Sequence, residues 1–232
     1  MASLRPHNDV LMHKPALLAI LHDLSARLFA AFAHQVRLVV HGGAVMVLHP
    51  FLHNRSATRD VDYLHRAFLA EYQRYGVRDA EARLASCIAA TARAHNLGAD
   101  WMNAHADVAL PMARDGQGQP FDPIFHAATT PTNISHNTLF SAPGLLLLAV
   151  SWPWAIALKF VRYQKHDPAD IAAMLRLGHK QARVRWSRQV LESWIMQWCW
   201  PMGYSQYPPP HLESLRERMR HAIDLAYGQT RP

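Results

Sequence analysis

At 232 residues, half of them apolar, the chain is long enough to bury one sizeable core with a small appendage. An apolar half and a charged content of only 18% exclude general disorder, and two cysteines exclude a disulfide framework or a cysteine-rich zinc centre; the formal net charge is +7. Arginine carries most of the positive charge, since lysine appears only at positions 14, 159, 165 and 180; its planar fork suits phosphate, although net charge by itself speaks to association and solubility.

The chain opens without a basic start followed by an apolar run. Its longest apolar stretch, residues 145–161, is interrupted by Ser151, Pro153 and Lys159 and falls short of the ~20 residues a membrane span needs. The expectation is an intracellular, soluble protein with no membrane partner.

Leu17, Leu21, Leu24, Leu28 and Phe32 recur at helical spacing and predict a helix over 14–35. Residues 37–41 (RLVVH) then predict a strand that ends in a turn at Gly42–Gly43. A short helix follows over 44–51, irregular near Pro50, and a second short strand over 60–64. Residues 67–96 predict helix with a break near Gly76. From 98 to 137, Gly116, Gly118, Pro111, Pro120, Pro123 and Pro131 predict loops and short strands. Strands are expected at 138–140 and 145–150, around the turn-forming Ala142–Pro143–Gly144. Ser151 is placed to cap a helix with Pro153 in its first turn, running to about Tyr163. Asp167, Pro168 and Asp170 start another. Two further helices fit 184–199 and 211–227, with a hinge at 207–210.

The chemistry concentrates in residues 39–44 (VVHGGA) and 55–62 (RSATRDVD). Paired glycines after a strand allow a tight turn and close approach of backbone N–H groups to a ligand. Asp60 and Asp62, two apart on a strand, share one face. Two like charges there are costly unless a cation lies between them, and Mg²⁺ commonly binds one or two carboxylates plus substrate phosphates. Arg55 and Arg59 can neutralise a polyphosphate.

The ordered combination of helix, apolar strand, GG, helix and R-x-x-T-x-D-h-D resembles the minimal nucleotidyltransferase superfamily. More narrowly, it resembles the branch that includes the AbiEii toxin-like proteins and related domains. The resemblance implies an α+β fold, a nucleotidyltransferase-type mixed sheet flanked by helices. It further implies Mg²⁺ or Mn²⁺ at Asp60 and Asp62, a nucleoside triphosphate as substrate, and nucleotide contacts from Gly42, Gly43, Arg55, Thr58 and Arg59. Residues 155–162 (AIALKFVR) and 167–171 (DPADI) are similar to the family's L-A-x-K helix and R-D-x-x-D-h segment. That match points Lys159 at the nucleotide phosphates as a catalytic residue, and gives Asp167 and Asp170 the task of capping the next helix or holding Lys159. Residues 100–103 (DWMN) resemble a D-W-L-N stretch of some members. The resemblance spans the core, 14–177, and leaves 178–232 as a helical C-terminal extension.

Two departures stand out. Active members carry a third carboxylate on a neighbouring strand; Asp107 and Asp122 are the candidates, and residues 137–150 contain no acid. His41 stands where an apolar or small residue is usual, and packing is its expected role.

Blander readings compete at several positions. His49 and His53 are four apart, yet Pro50 and the lack of an H-E-x-x-H pattern argue against a metal pair. Trp186, Trp194, Trp198 and Trp200 favour packing over base stacking. Lys180, Arg183, Arg185 and Arg188 suit either nucleic-acid phosphates or a solvated helix face. Lys159 has the alternative of a snorkelling side chain. The sequence leaves three functions open: a metal-dependent nucleotidyltransferase, a catalytically inactive nucleotide- or partner-binding module on the same fold, and a basic nucleic-acid-binding protein. The acceptor (RNA, protein or small molecule), the base preference and the oligomeric state stay open.

Overall fold

The computed structural model describes residues 4–228. Among the described residues, the first hundred positions carry four strands and four helices: β1 (Met12–His13), α1 (Lys14–Phe32), β2 (Val36–His41), α2 (Gly43–Leu48), β3 (Ala57–Thr58), β4 (Val61–Tyr63), α3 (His65–Arg74) and α4 (Ala80–Ala94). Then come β5 (Met102–Asn103), β6 (Ala113–Arg114), β7 (Pro120–Phe121), α5 (Pro123–Ala128), α6 (Pro131–Asn137), β8 (Thr138–Ala142) and β9 (Leu145–Ala149). Four helices finish the described chain: α7 (Trp152–Arg162), α8 (Asp167–Ala182), α9 (Arg188–Trp198) and α10 (Pro209–Tyr227).

Contacts divide the chain into two compact units, the first made of Met1–Leu110 and Ile124–Val150, the second of Pro111–Pro123 and Ser151–Pro232. This differs from the expected division at 177/178, which runs through the middle of α8. Residues 229–232 of the expected extension lie outside the described residues.

The first unit is α+β. Its five-stranded sheet has the order β5-β4-β2-β9-β8. The β4–β5 and β2–β9 pairs are parallel and the β2–β4 and β8–β9 pairs antiparallel, so the sheet is mixed. Alternation across β2 and β9 buries Val36, Leu38, Val40, Leu145 and Leu147 in the core. Among the described residues, α1 alone has the length and apolar composition of a membrane span. Its Leu17, Leu21, Leu24 and Leu28 are fully buried in the same core, with α4 and β9 as neighbours. The helix stops at Ala33, which is in the left-handed region at φ 60° and donates its N–H to the Phe29 carbonyl at 2.8 Å.

Two sequence expectations are corrected here. Asp60 lies immediately before β4 rather than on it, because ladder pairing begins at Val61. The 98–137 stretch holds two helices besides its short strands. The prolines read as breakers open them: Pro123 begins α5 and Pro131 begins α6, where a missing N–H costs nothing and the fixed φ already suits a helix. Thr130 completes the second start by accepting the Asn133 N–H at 3.3 Å.

The second unit is mainly helical, with a small β6–β7 hairpin. Helix α8 packs against α7 and α10. Gly178 on α8 makes room for Trp186: a Cβ there would lie 3.1 Å from the indole ring. The indole N–H donates to the Leu175 carbonyl at 2.9 Å, and Trp194 stacks obliquely at 5.0 Å between centroids. Trp198 and Trp200 are exposed, so packing accounts for only part of the tryptophan cluster. Ser151 occupies the N-cap of α7 with extended backbone, without a side-chain capping bond.

Candidate functional site

The site begins with strand pairing. β2 runs antiparallel to β4, with His41 opposite Asp62 and Val40 opposite Tyr63. β2 then ends at Gly42, which adopts φ 75°, ψ −143°. A side chain rarely tolerates that backbone, and glycine does. The space a Cβ would need is already taken: it would lie 2.9 Å from Asp62 Oδ2. A Cβ on Gly43 would lie 2.8 Å from Thr58 Oγ1 and 3.1 Å from Arg55 Nη1. The glycine pair is therefore the floor on which Asp62, Thr58 and Arg55 converge.

Thr58 links the remaining acid to this group. Its hydroxyl is within 3.1 Å of the Asp60 carbonyl and 3.3 Å of Asp60 Oδ1. Thr58 is itself held by the β1–β3 ladder, in which Met12 pairs with Thr58 and His13 with Ala57. Arg59 is exposed, and its carbonyl accepts a 2.6 Å hydrogen bond from Asn8 Nδ2.

Asn8 is a support that sequence reading missed. Its carboxamide holds Arg59, its Oδ1 accepts the Gly98 N–H at 3.0 Å, and its own N–H donates to Asp100 Oδ1 at 2.6 Å. These links tie the approach to Asp60 to the loop before β5. An asparagine in an unpatterned N-terminal segment carries no local signal for such a role.

The 100–103 motif resolves into separate tasks. Asp100 receives the N-terminal segment, and Trp101 is fully buried with its indole N–H donating to the Ile88 carbonyl at 3.2 Å. Asn103 pairs in register with Asp62 across the parallel β4–β5 ladder. Its amide closes its own turn, donating to the Asp100 carbonyl and accepting the His105 N–H, both at 3.0 Å.

The two third-carboxylate candidates fall in different units. Asp107 is buried beneath the start of α3, where Oδ2 accepts the Arg66 N–H at 2.7 Å and faces the Arg66 guanidinium at 3.5 Å. It acts on Tyr63, whose side chain alternates to the sheet face opposite Asp62. Burial, then the charges of Asp107 and Glu81, push the Tyr63 hydroxyl up to about 12. Asp122 belongs to the second unit. Among the described residues, no group of three or more His, Cys, Asp or Glu side chains is placed to hold a metal ion.

The histidine pair also separates. α2 ends at Leu48, so His49 and His53 share no helix face. The His49 ring is buried between the His136 carbonyl at 3.4 Å and the Phe51 N–H at 3.3 Å, and burial pulls its pKa down.

Lys159 lies in the second unit, buried within it. Its ammonium donates to Asp170 Oδ2 at 2.7 Å and Asp167 Oδ1 at 3.3 Å. Arg162 forks onto Asp167 at 3.0 and 3.1 Å, and the Gln164 N–H donates to Asp167 at 3.0 Å. Burial raises the Asp167 pKa, but the Arg162 and Gln164 hydrogen bonds and the Lys159 and Arg162 charges outweigh it and hold it below the usual value. Of the two tasks expected for Asp167 and Asp170, holding Lys159 is the one observed.

Comparison with known proteins finds no matching family model, no similar curated protein and no similar solved structure.

Proposed function

We propose that the first unit binds a nucleoside triphosphate and transfers its nucleotidyl group to an acceptor, with Mg²⁺ or Mn²⁺ held by Asp60 and Asp62. One observation carries this reading: Asp62, Thr58 and Arg55 all press against the Gly42–Gly43 bend. The donor set suits the cation, since two carboxylates beside a hydroxyl offer hard oxygen ligands, and Mg²⁺ typically draws the rest of its shell from phosphates and water. When bound, the cation would supply Lewis acidity at the α-phosphate.

The chain's own residues supply position and charge. Gly42 and Gly43 keep the backbone open to a triphosphate. Arg55 donates to phosphate oxygens that carry the leaving charge. Thr58 fixes Asp60 through the hydroxyl contact already described. Such a site works by alignment and neutralisation. Lys159 is given no part in it, because its ammonium is engaged by Asp167 and Asp170.

The test incubates purified protein with labelled nucleoside triphosphates, Mg²⁺ or Mn²⁺, and RNA or protein acceptors. Label transfer is expected from the wild type and not from Asp60→Ala/Asp62→Ala. Equal transfer by both proteins, or none with any acceptor, refutes the enzyme reading.

A second reading, a nucleotide-binding module without turnover, is favoured by Asn103, an amide in the strand position beside Asp62. Calorimetry that records Mg²⁺-dependent triphosphate binding by a protein unable to transfer label selects it.

A further inference from the structure

Asp62 sits in a row that crosses three strands. On β2 its partner is His41 and on β5 its partner is Asn103. Directly paired residues project from the same face of a sheet, with Cβ atoms about 4.5–5.5 Å apart in an antiparallel pair. The carboxylate is thus flanked by an imidazole on one side and a carboxamide on the other, with the Gly42 bend against its Oδ2.

The two flanking groups are not equivalent. Asn103 spends its amide on the 100–105 turn, donating to Asp100 and accepting from His105. His41 is the last residue of β2, buried at 8% exposure, and leads directly into Gly42. An imidazole carries at least one N–H donor in either tautomer, whereas an ionised carboxylate only accepts. An apolar side chain at 41 would fill the same volume without a donor.

We propose that His41 is a positioning residue: it donates to the Asp62 carboxylate and holds it toward the glycine bend in the orientation a divalent cation requires. This rests on the metal-site reading above and replaces the expectation that His41 merely packs. Partners that orient a metal-ligating group are the usual means by which a protein sets ligand geometry. Here that partner comes from the strand that also makes the bend, so one element places both the donor and the backbone floor.

The test titrates the full-length protein with Mn²⁺ and follows free and bound ion by electron paramagnetic resonance, with circular dichroism as the control for folding. Wild type is compared with His41→Phe, His41→Gln and Asp62→Asn. The expected result is that His41→Phe folds and binds Mn²⁺ about 10-fold more weakly, at the lower end of the loss typical for an orienting partner. His41→Gln, which keeps a donor, recovers most of the affinity and the bound-ion line shape. Should the phenyl ring prevent folding, His41→Val, suited to a strand, replaces it. Wild-type affinity in the apolar variant, or a glutamine variant as weak as the apolar one, overturns the role of His41 and leaves the metal site standing. Wild-type protein that binds Mn²⁺ no better than Asp62→Asn overturns the metal reading and the role of His41 with it.

Discussion

Gly42 shows how one residue couples backbone to chemistry. Its φ of 75° and the 2.9 Å separation between a notional Cβ and Asp62 Oδ2 both oppose a side chain. Gly42→Ala is expected to cost about 1–3 kcal/mol for a backbone conformation that is nearly exclusive to glycine and to displace the Asp62 carboxylate. Calorimetry should record a lower Tm and the Mn²⁺ titration a lost site; unchanged Mn²⁺ binding would show that Asp62 works elsewhere.

Lys159 gives the opposite case, a charge kept inside a helical unit by two acids. Removing the ammonium takes a 2.7 Å charged partner from buried Asp170, and loss of one member of a buried pair typically costs about 3–5 kcal/mol. Urea denaturation of Lys159→Met should show a loss of that order. A shift below about 1 kcal/mol would place the pair among weak, solvated bridges.

At the scale of elements, the β8–β9 turn is pressed against α1. A Cβ on Gly144 would lie 1.9 Å from the Ser25 carbonyl oxygen and 2.6 Å from the Phe29 nitrogen. Both obstacles are helix backbone, so neither can swing aside. Gly144→Ala is expected to lose about 3 kcal/mol or more, the upper range of overpacking, as read by chemical denaturation. A turn tripeptide was legible from Ala142–Pro143–Gly144, but the reason for glycine there was not, because the obstructing helix is more than a hundred positions away in the chain.

Helices α7 and α8 carry a pH dependence. Asp167 is held below its unfolded value of about 3.9. Its contribution to stability is therefore complete above that value and is lost as pH falls through the lower folded-state pKa. Acid titration should loosen this helix pair below about pH 4, seen as lost near-ultraviolet signal from buried Trp154. Asp167→Asn should remove that acid-dependent step, and a step that persists unchanged in the variant would assign it to other carboxylates.

For the whole molecule, the charge of +7 has an exposed focus between α8 and α9. Lys180, Arg183 and Arg185 are all exposed, whereas Arg188 is engaged with Glu192. No acid occurs from 171 to 191. Three cations on single-stranded RNA predict a log–log salt slope of about −2, at roughly 0.7 per phosphate. Fluorescence anisotropy should find that slope in both wild type and Asp60→Ala/Asp62→Ala, and lose it on replacing the three cations by alanine. A slope unaffected by those three replacements would move the contact to another surface.

Periodicity and punctuation determined most of the elements by themselves. The leucine spacing of α1, the RLVVH run of β2 and the break near Gly76 are local patterns, and local patterns survive without tertiary context. The glycine pair at 42–43 and the acids at 60 and 62 stood out in the sequence as local patterns, a turn and a two-residue spacing. Only the tertiary structure could decide which strands are neighbours. Pairing in register set His41 and Asn103 on either side of Asp62, while long-range hydrogen bonds gave Asp107 to the start of α3 and recruited Asn8 from the N-terminal segment. It also turned Pro123 and Pro131 from breakers into helix starts. Register and burial depend on residues distant in the chain, and no window of sequence contains both partners.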